Sequence, residues 1–267
     1  MLCNVLWRTL QDRRRSLLAW GLGITALTSL MMVFYPSIRD AGHIIEEYIE
    51  AMPEELMGLF GGQSVDYSSI EGFLNTELFF FMAPLLFLIF AIGFGSSAIA
   101  GEEEQGTLDL LLSTPLPRWR AVLEKFGALI ISVFVLGFVF WTILVLGILA
   151  VDADINLGRL TGTVFSVTVL GITYGTLALA VGCARGKRAQ GLAVASVFGI
   201  YGYLLNALAP MIDWLEPFRI LSPFYYFISA DPLINGLNLF HTVVLFGLTI
   251  VFLTIAVTVF ERRDLAV

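Results

Sequence analysis

Residues 79–151 read FFFMAPLLFLIFAIGFGSSAIA (79–100), GEEEQGTLDLLLSTPLPRWRAVLEK (101–125) and FGALIISVFVLGFVFWTILVLGILAV (126–151). Two apolar runs flank a segment with three consecutive glutamates, a leucine cluster and two prolines. Each run exceeds the ~20 residues that cross a hydrocarbon core. A charged group at mid-bilayer costs about 2.5–3.5 kcal/mol on insertion scales, so Glu102–Glu104 mark where the first run leaves the membrane.

The rest of the chain has the same character. Of its 267 residues 58% are hydrophobic and 14% charged, against about a quarter charged in soluble domains, and the mean hydropathy is +0.86. Six runs are long enough to span: about 17–35, 77–100, 125–151, 160–183, 189–212 and 239–260. None alternates in polarity, which disfavours a β-barrel. Lipid offers the backbone no hydrogen bonds, so the runs are helices. The fold class is an all-α membrane protein with six transmembrane helices, a single transmembrane domain over 1–267, without internal repeat or linker. The first run follows Arg13–Arg15 but ends in FYPSIRD with no small-residue cleavage site, so it reads as a retained span.

Basic residues set the orientation. Arg8, Arg13–Arg15, Arg118, Arg120, Lys125, Arg185, Lys187, Arg188, Arg262 and Arg263 fall on one side, which is twelve of the 15. That side is predicted to be cytoplasmic, with both termini inside and the chain in the plasma membrane. Leu2, Val5, Leu6 and Leu10 share one helical face, which predicts an interfacial helix over 1–12 before the first span. The first outer loop, 36–76, carries two amphipathic stripes, Ile45/Tyr48/Ile49/Met52 and Leu56/Leu59/Phe60, read as short helices on the outer face. Residues 210–236 are aromatic, broken by prolines and too short to span, so they predict a re-entrant or interfacial segment before the last span.

Chemistry is sparse. Arg185-Gly186-Lys187-Arg188 lacks the Ser/Thr and glycine spacing of a phosphate loop, and no hydrolase or metalloprotease motif occurs. His43 and His241 fall on the outer side, across the membrane from Glu102–Glu104, so no catalytic or metal site is expected. Cys3 and Cys183 fall on the reducing side and predict neither a disulfide nor a zinc site. The net charge of −7 and the lack of a basic patch exclude nucleic acid. No row of intramembrane acids or lysines marks an ion-coupled carrier. Asn206 is the clearest polar residue inside a span; it lines a translocation path or bonds a neighbouring helix. Gly171, Gly175, Ala178 and Gly182 form a small-residue face on the fourth span.

The segment after the glutamates is the most informative. Thr107 can cap a helix starting at Leu108, with Leu108, Leu111 and Leu112 on one face and Pro115 and Pro117 ending it. Such a face docks in a groove on a partner or packs back on the bundle.

The loop resembles the signature of ABC transporter permeases of the second membrane-domain type. The resemblance rests on Gly101, Glu102, Glu104, Gly106, Thr107, Leu108, Leu110, Leu111, Leu112, Pro115, Arg118 and Lys125, and extends to the N-terminal helix, six spans and outer segment. It implies a transmembrane subunit of an ABC exporter, with ATP and Mg bound and hydrolysed on a separate cytoplasmic ATPase subunit present in two copies. It also implies a second permease subunit, identical or homologous, and no cofactor bound by this chain. Glu102, Glu103, Glu104, Gly106, Thr107, Leu108, Leu111, Leu112, Pro115 and Arg118 are then the ATPase-coupling residues. The cargo is expected to be a small hydrophobic or amphipathic compound. Alternatives are a family permease for cofactor or metal-site maturation, such as copper-site assembly for nitrous oxide reductase, a secondary carrier, or a membrane scaffold without transport.

Overall fold

The structure, a computed structural model, describes residues 4–41, 69–108 and 117–263. The described residues are helical, with no strand among them, and six helices are long and apolar enough to cross a membrane. The stripes expected over 45–60 lie outside the described residues.

The first span is α1, Asn4–Asp40. The interfacial helix expected over 1–12 is not a separate element: residues 4–12 are the first turns of this continuous helix. Nothing between Asn4 and Asp40 breaks a helix except Pro36, near its end, and Asp12 to Ser16 are tolerated in helical backbone. At 1.5 Å per residue α1 is about 55 Å long, well beyond a ~30 Å hydrocarbon core, so its basic N-terminal turns project past the apolar stretch. One face, Ile24, Thr28, Met32 and Tyr35, is buried, while Leu18, Leu22 and Val33 are exposed, as expected of a helix bordered by lipid on one side.

The second span combines α2 (Ile70–Phe73), a π-helix (Leu74–Met82) and α3 (Ala83–Ala98), and turns at Ile99 into α4 (Ala100–Glu104). The wide helix ends at Ala83, whose amide bonds Leu78 O, and the α pattern resumes with Pro84 in its first turn. Such wide turns are uncommon and widen the backbone locally. The remaining spans are α5 (Arg118–Ala150), α6 (Leu157–Arg185), α7 (Arg188–Leu208) and α10 (Leu239–Arg262).

α6 is the centre of the bundle: 83% of its apolar stretch is buried, against 17% in α1 and 22% in α10. Its small-residue face is what the second span packs on. A Cβ at Gly171 would sit 3.3 Å from Phe87 Cβ, one at Gly175 2.9 Å from Ala91 O, and one at Gly182 3.5 Å from Ala100 Cβ. A Cβ at Gly95 would overlap the Gly175 carbonyl. Apolar side chains gain little by leaving lipid for another helix, so close backbone approach and dispersion hold this pair. The Thr173 and Thr249 hydroxyls, 2.9 Å apart, join α6 to α10.

Between α7 and α10 the chain forms two short 3-10 turns, Ala209–Met211 and Glu216–Leu221, then α8 (Pro223–Ile228) and α9 (Pro232–Asn235). The segment dips into the bundle. The Phe224 ring lies 5.8 Å from that of Tyr174, near the middle of α6. Ser222 anchors the dip, donating to Gly202 O at 2.6 Å and accepting from the Phe224 amide at 3.1 Å.

Candidate functional site

Residues 5–15, 101–108, 117–125, 183–188 and 262–263 gather at one end of the bundle, termed here the basic face; the first and last described residues lie on it. The three glutamates each take a different partner. Glu102 pairs with Lys125, across the base of the loop between the second and third spans. Glu103 pairs with Arg263, whose Nη1 donates to Glu103 Oε2 at 3.0 Å and to Cys183 O at 3.1 Å. Glu104 Oε1 accepts from the Arg188 amide at 2.8 Å, placing a carboxylate at the positive end of α7. A fourth acid, Glu124, repeats this for α1: its Oε2 accepts from the Val5 and Leu6 amides, both at 3.2 Å, while Oε1 accepts from Arg120 Nε at 3.2 Å. Two helices are therefore capped by carboxylates from elsewhere in the chain, satisfying amides that no residue of the helix itself reaches. Arg13 donates to Ser97 Oγ and lies over the Phe94 ring. Arg118 donates to Arg263 O at 2.7 Å.

The turn after the glutamates is described as far as Leu108. The Thr107 hydroxyl and amide both donate to Glu102 O, at 3.2 and 2.9 Å, closing the turn after α4; the amides that Thr107 was expected to cap lie outside the described residues. Gly106 occupies left-handed backbone there (φ +67°), where a side chain is strained. Of the two readings for the leucine face, docking on a partner or packing back on the bundle, Leu108 follows the second: it is 3% exposed and belongs to the core of this chain. It packs back because the turn at 105–107 directs it toward the bundle. Leu111, Leu112 and Pro115 lie outside the described residues.

At the opposite face Asn206 is buried, and its Oδ1 accepts from Arg219 Nε at 3.1 Å. The Arg219 guanidinium also lies 5.4 Å from the centre of the Tyr225 ring. Burial raises the Asp231 carboxyl above its ordinary range, while a hydrogen bond with Asn75 and the charge of Arg219 act against that rise. Asn206 thus ties α7 to the dipping segment.

The described residues also form a half-open apolar cavity of about 500 Å³ between the second and fifth spans, with Phe81, Leu85, Leu192 and Leu204 exposed on its rim. Phe81, Leu85, Leu88, Leu192, Leu204 and Phe224 line it, with Ser196 and Tyr203 supplying the hydroxyls. Asn206 is absent from its lining. Sequence reasoning did not find this cavity. Its only legible trace is Gly199 between bulky neighbours, where a Cβ would approach Leu88 Cδ2 at 3.2 Å.

Six spans, a dipping segment and a loop base closed by charge define a helical membrane permease. The chain belongs to the ABC-2 family: residues 3–265 match the model described as ABC-2 family transporter protein. A relative, the probable ABC transporter permease protein NosY of Pseudomonas aeruginosa, is 33% identical over 138 residues. That match covers 50% of this chain and 49% of the relative, so the chain spans about half the length of the curated relative it matches. The family is that of ABC transporter membrane subunits, which are not themselves catalytic.

Proposed function

We propose that this chain is the transmembrane subunit of an ATP-driven exporter for small hydrophobic or amphipathic compounds, with ATP and Mg handled by two copies of a separate cytoplasmic ATPase. The basic face is then the cytoplasmic side of the plasma membrane, and a second permease subunit, identical or homologous, completes the path. The cavity carries the reading of cargo. Its lining is apolar apart from two hydroxyls, so it favours a cargo that gains from burial and makes at most a few hydrogen bonds. It contains no Cys, His, Asp or Glu, and the described residues hold no cluster of such groups fit for a metal. A metal ion passing through it would exchange its water for nothing, which disfavours metal-site maturation as the role of this cavity.

The base of loop 105–117 supports the coupling residues. Glu102–Lys125 closes it, and Glu103, Glu104 and Arg118 tie it to other elements; Gly106, Thr107, Leu111, Leu112 and Pro115 belong to the loop they carry. The deciding experiment is co-purification from the native membrane, followed by reconstitution in vesicles. An ATPase subunit should accompany the chain, and the complex should move a fluorescent hydrophobic dye only with ATP. Leu204→Trp, on the exposed rim of the cavity, should narrow it and lower dye transport at least tenfold with assembly intact. Dye movement by the chain alone, driven by an ion gradient, would overturn the reading in favour of a secondary carrier.

A further inference from the structure

Arg263 is the first residue past the sixth span, with extended backbone (φ −76°, ψ 128°). It is nevertheless one of the most heavily held residues of the basic face. Its guanidinium reaches both oxygens of Glu103, before the loop, and the Cys183 carbonyl at the C-terminal end of α6. Its own carbonyl accepts from Arg118, after the loop, at 2.7 Å. The two flanks of loop 105–117 therefore grip one residue, one by its side chain and one by its backbone.

Gly186 makes room for this contact. It ends α6 in left-handed backbone (φ +65°), and a Cβ there would overlap the Arg263 guanidinium and lie 2.5 Å from Glu103 Oε1. Both requirements select glycine. The pair is about four-fifths withdrawn from solvent, at 19% and 22% side-chain exposure, so salt screens it less than a surface pair. A cation is also favoured at the C-terminal end of α6. Packing supplies less restraint to the sixth span, since only 22% of its apolar stretch is buried.

We propose that Glu103 and Arg263, seated over Gly186 and held from the far side by Arg118, form a carboxyl-terminal clasp. The clasp makes the end of the sixth span move with the loop rather than independently of it. Glu103 and Arg263 are positioning residues: they touch no cargo or nucleotide and act by fixing one helix end to another. This rests on the coupling reading above, in which the ATPase displaces the loop.

The test places spin labels at the exposed positions Gln105 and Glu261 in the complete complex in lipid, with and without ATP and vanadate. With the clasp intact, the distance distribution between them should be a single narrow peak that nucleotide does not shift. Arg263→Ala should lose that narrow peak and shift with nucleotide. The exchange Glu103→Arg with Arg263→Glu should restore it, and Arg263→Lys should give an intermediate width. A merely structural role would lower yield without rescue by the exchange. If Arg263→Ala does not fold, Glu103→Gln carries the same comparison. A peak that stays narrow in both variants, with nucleotide bound, overturns the clasp. Failure of the unsubstituted chain to co-purify with an ATPase overturns the coupling reading instead, and a peak broadened without nucleotide in Arg263→Ala still supports the clasp in that case.

Discussion

The two ends of the bundle hold their charges differently. On the basic face four acids each have a partner in another element: Glu102 with Lys125, Glu103 with Arg263, Glu104 with the start of α7, Glu124 with the start of α1. On the opposite face one cation, Arg219, is shared between an amide and an aromatic ring, and the backbone itself dips inward behind Ser222. The first arrangement fixes helix ends relative to one another. The second holds a short segment against the core with neutral and aromatic contacts, which cost less to break.

Severing the ends from each other should have the largest effect. Gly175→Leu drives a side chain into the Ala91 carbonyl, which is backbone and cannot swing aside, and into Leu129; the cost exceeds the about 1–3 kcal/mol of ordinary overpacking because the two helices must separate, and monodisperse protein on size exclusion should fall to near zero. Next, Lys125→Glu sets a like charge against Glu102 at a site 6% exposed on the lysine side chain. Breaking a buried pair costs about 3–5 kcal/mol, of which the partial exposure of Glu102 removes a share, so thermal unfolding should show a large drop that Lys125→Gln only partly reproduces. If Lys125→Glu melts no lower than a change at the other end, the contrast between the faces does not hold.

At the opposite end Asn206→Leu leaves the Arg219 Nε without its acceptor. The expected loss is about 1–3 kcal/mol, read as a lower melting temperature with ATPase assembly unchanged. Leu111→Asp with Leu112→Asp should do the reverse, removing co-purification of the ATPase while leaving the melting temperature within experimental error. The smallest effect concerns Asp231. Its folded-state pKa is raised by burial, so its contribution is fully present below the ordinary carboxylate pKa and is lost as pH rises through the folded value. Asp231→Asn should therefore melt slightly higher than the unsubstituted chain at pH 7, and the gap should close toward pH 4. Asn tolerates the left-handed backbone at that position (φ +44°), so the comparison is not confounded by strain.

Much of this was legible in residue order because membrane helices obey local rules. Length and hydropathy alone give six spans, and the expected third run, 125–151, differs from α5 chiefly in beginning seven residues late, since Arg118–Glu124 are helical but interrupted by the charges of Arg118, Arg120 and Glu124. The small face on α6 was visible as a pattern, though not which helix it meets. Glu102–Glu104 were legible as a membrane exit. That each takes a separate partner was not, because Lys125, Arg188 and Arg263 lie 23, 84 and 160 residues away from their acids. The bonds from Thr107 back to the Glu102 carbonyl were not legible either, because they depend on the turn that Gly106 makes in left-handed backbone. The π-helix at 74–82 has no signature, as it differs from an α-helix by one shifted hydrogen bond per turn.

The sequence by itself determined that this chain lives in a membrane, where it crosses, which loop ends are charged and which family it resembles, because transfer into lipid is priced residue by residue. Only the tertiary structure decided that the start of α1 and Arg263 are held beside the base of one loop, that Leu108 turns inward, that Asn206 holds Arg219, and that the second and fifth spans border a half-open apolar cavity. Those outcomes depend on pairs of residues far apart in the chain. Their energy exists only once helix packing has brought them within hydrogen-bonding distance.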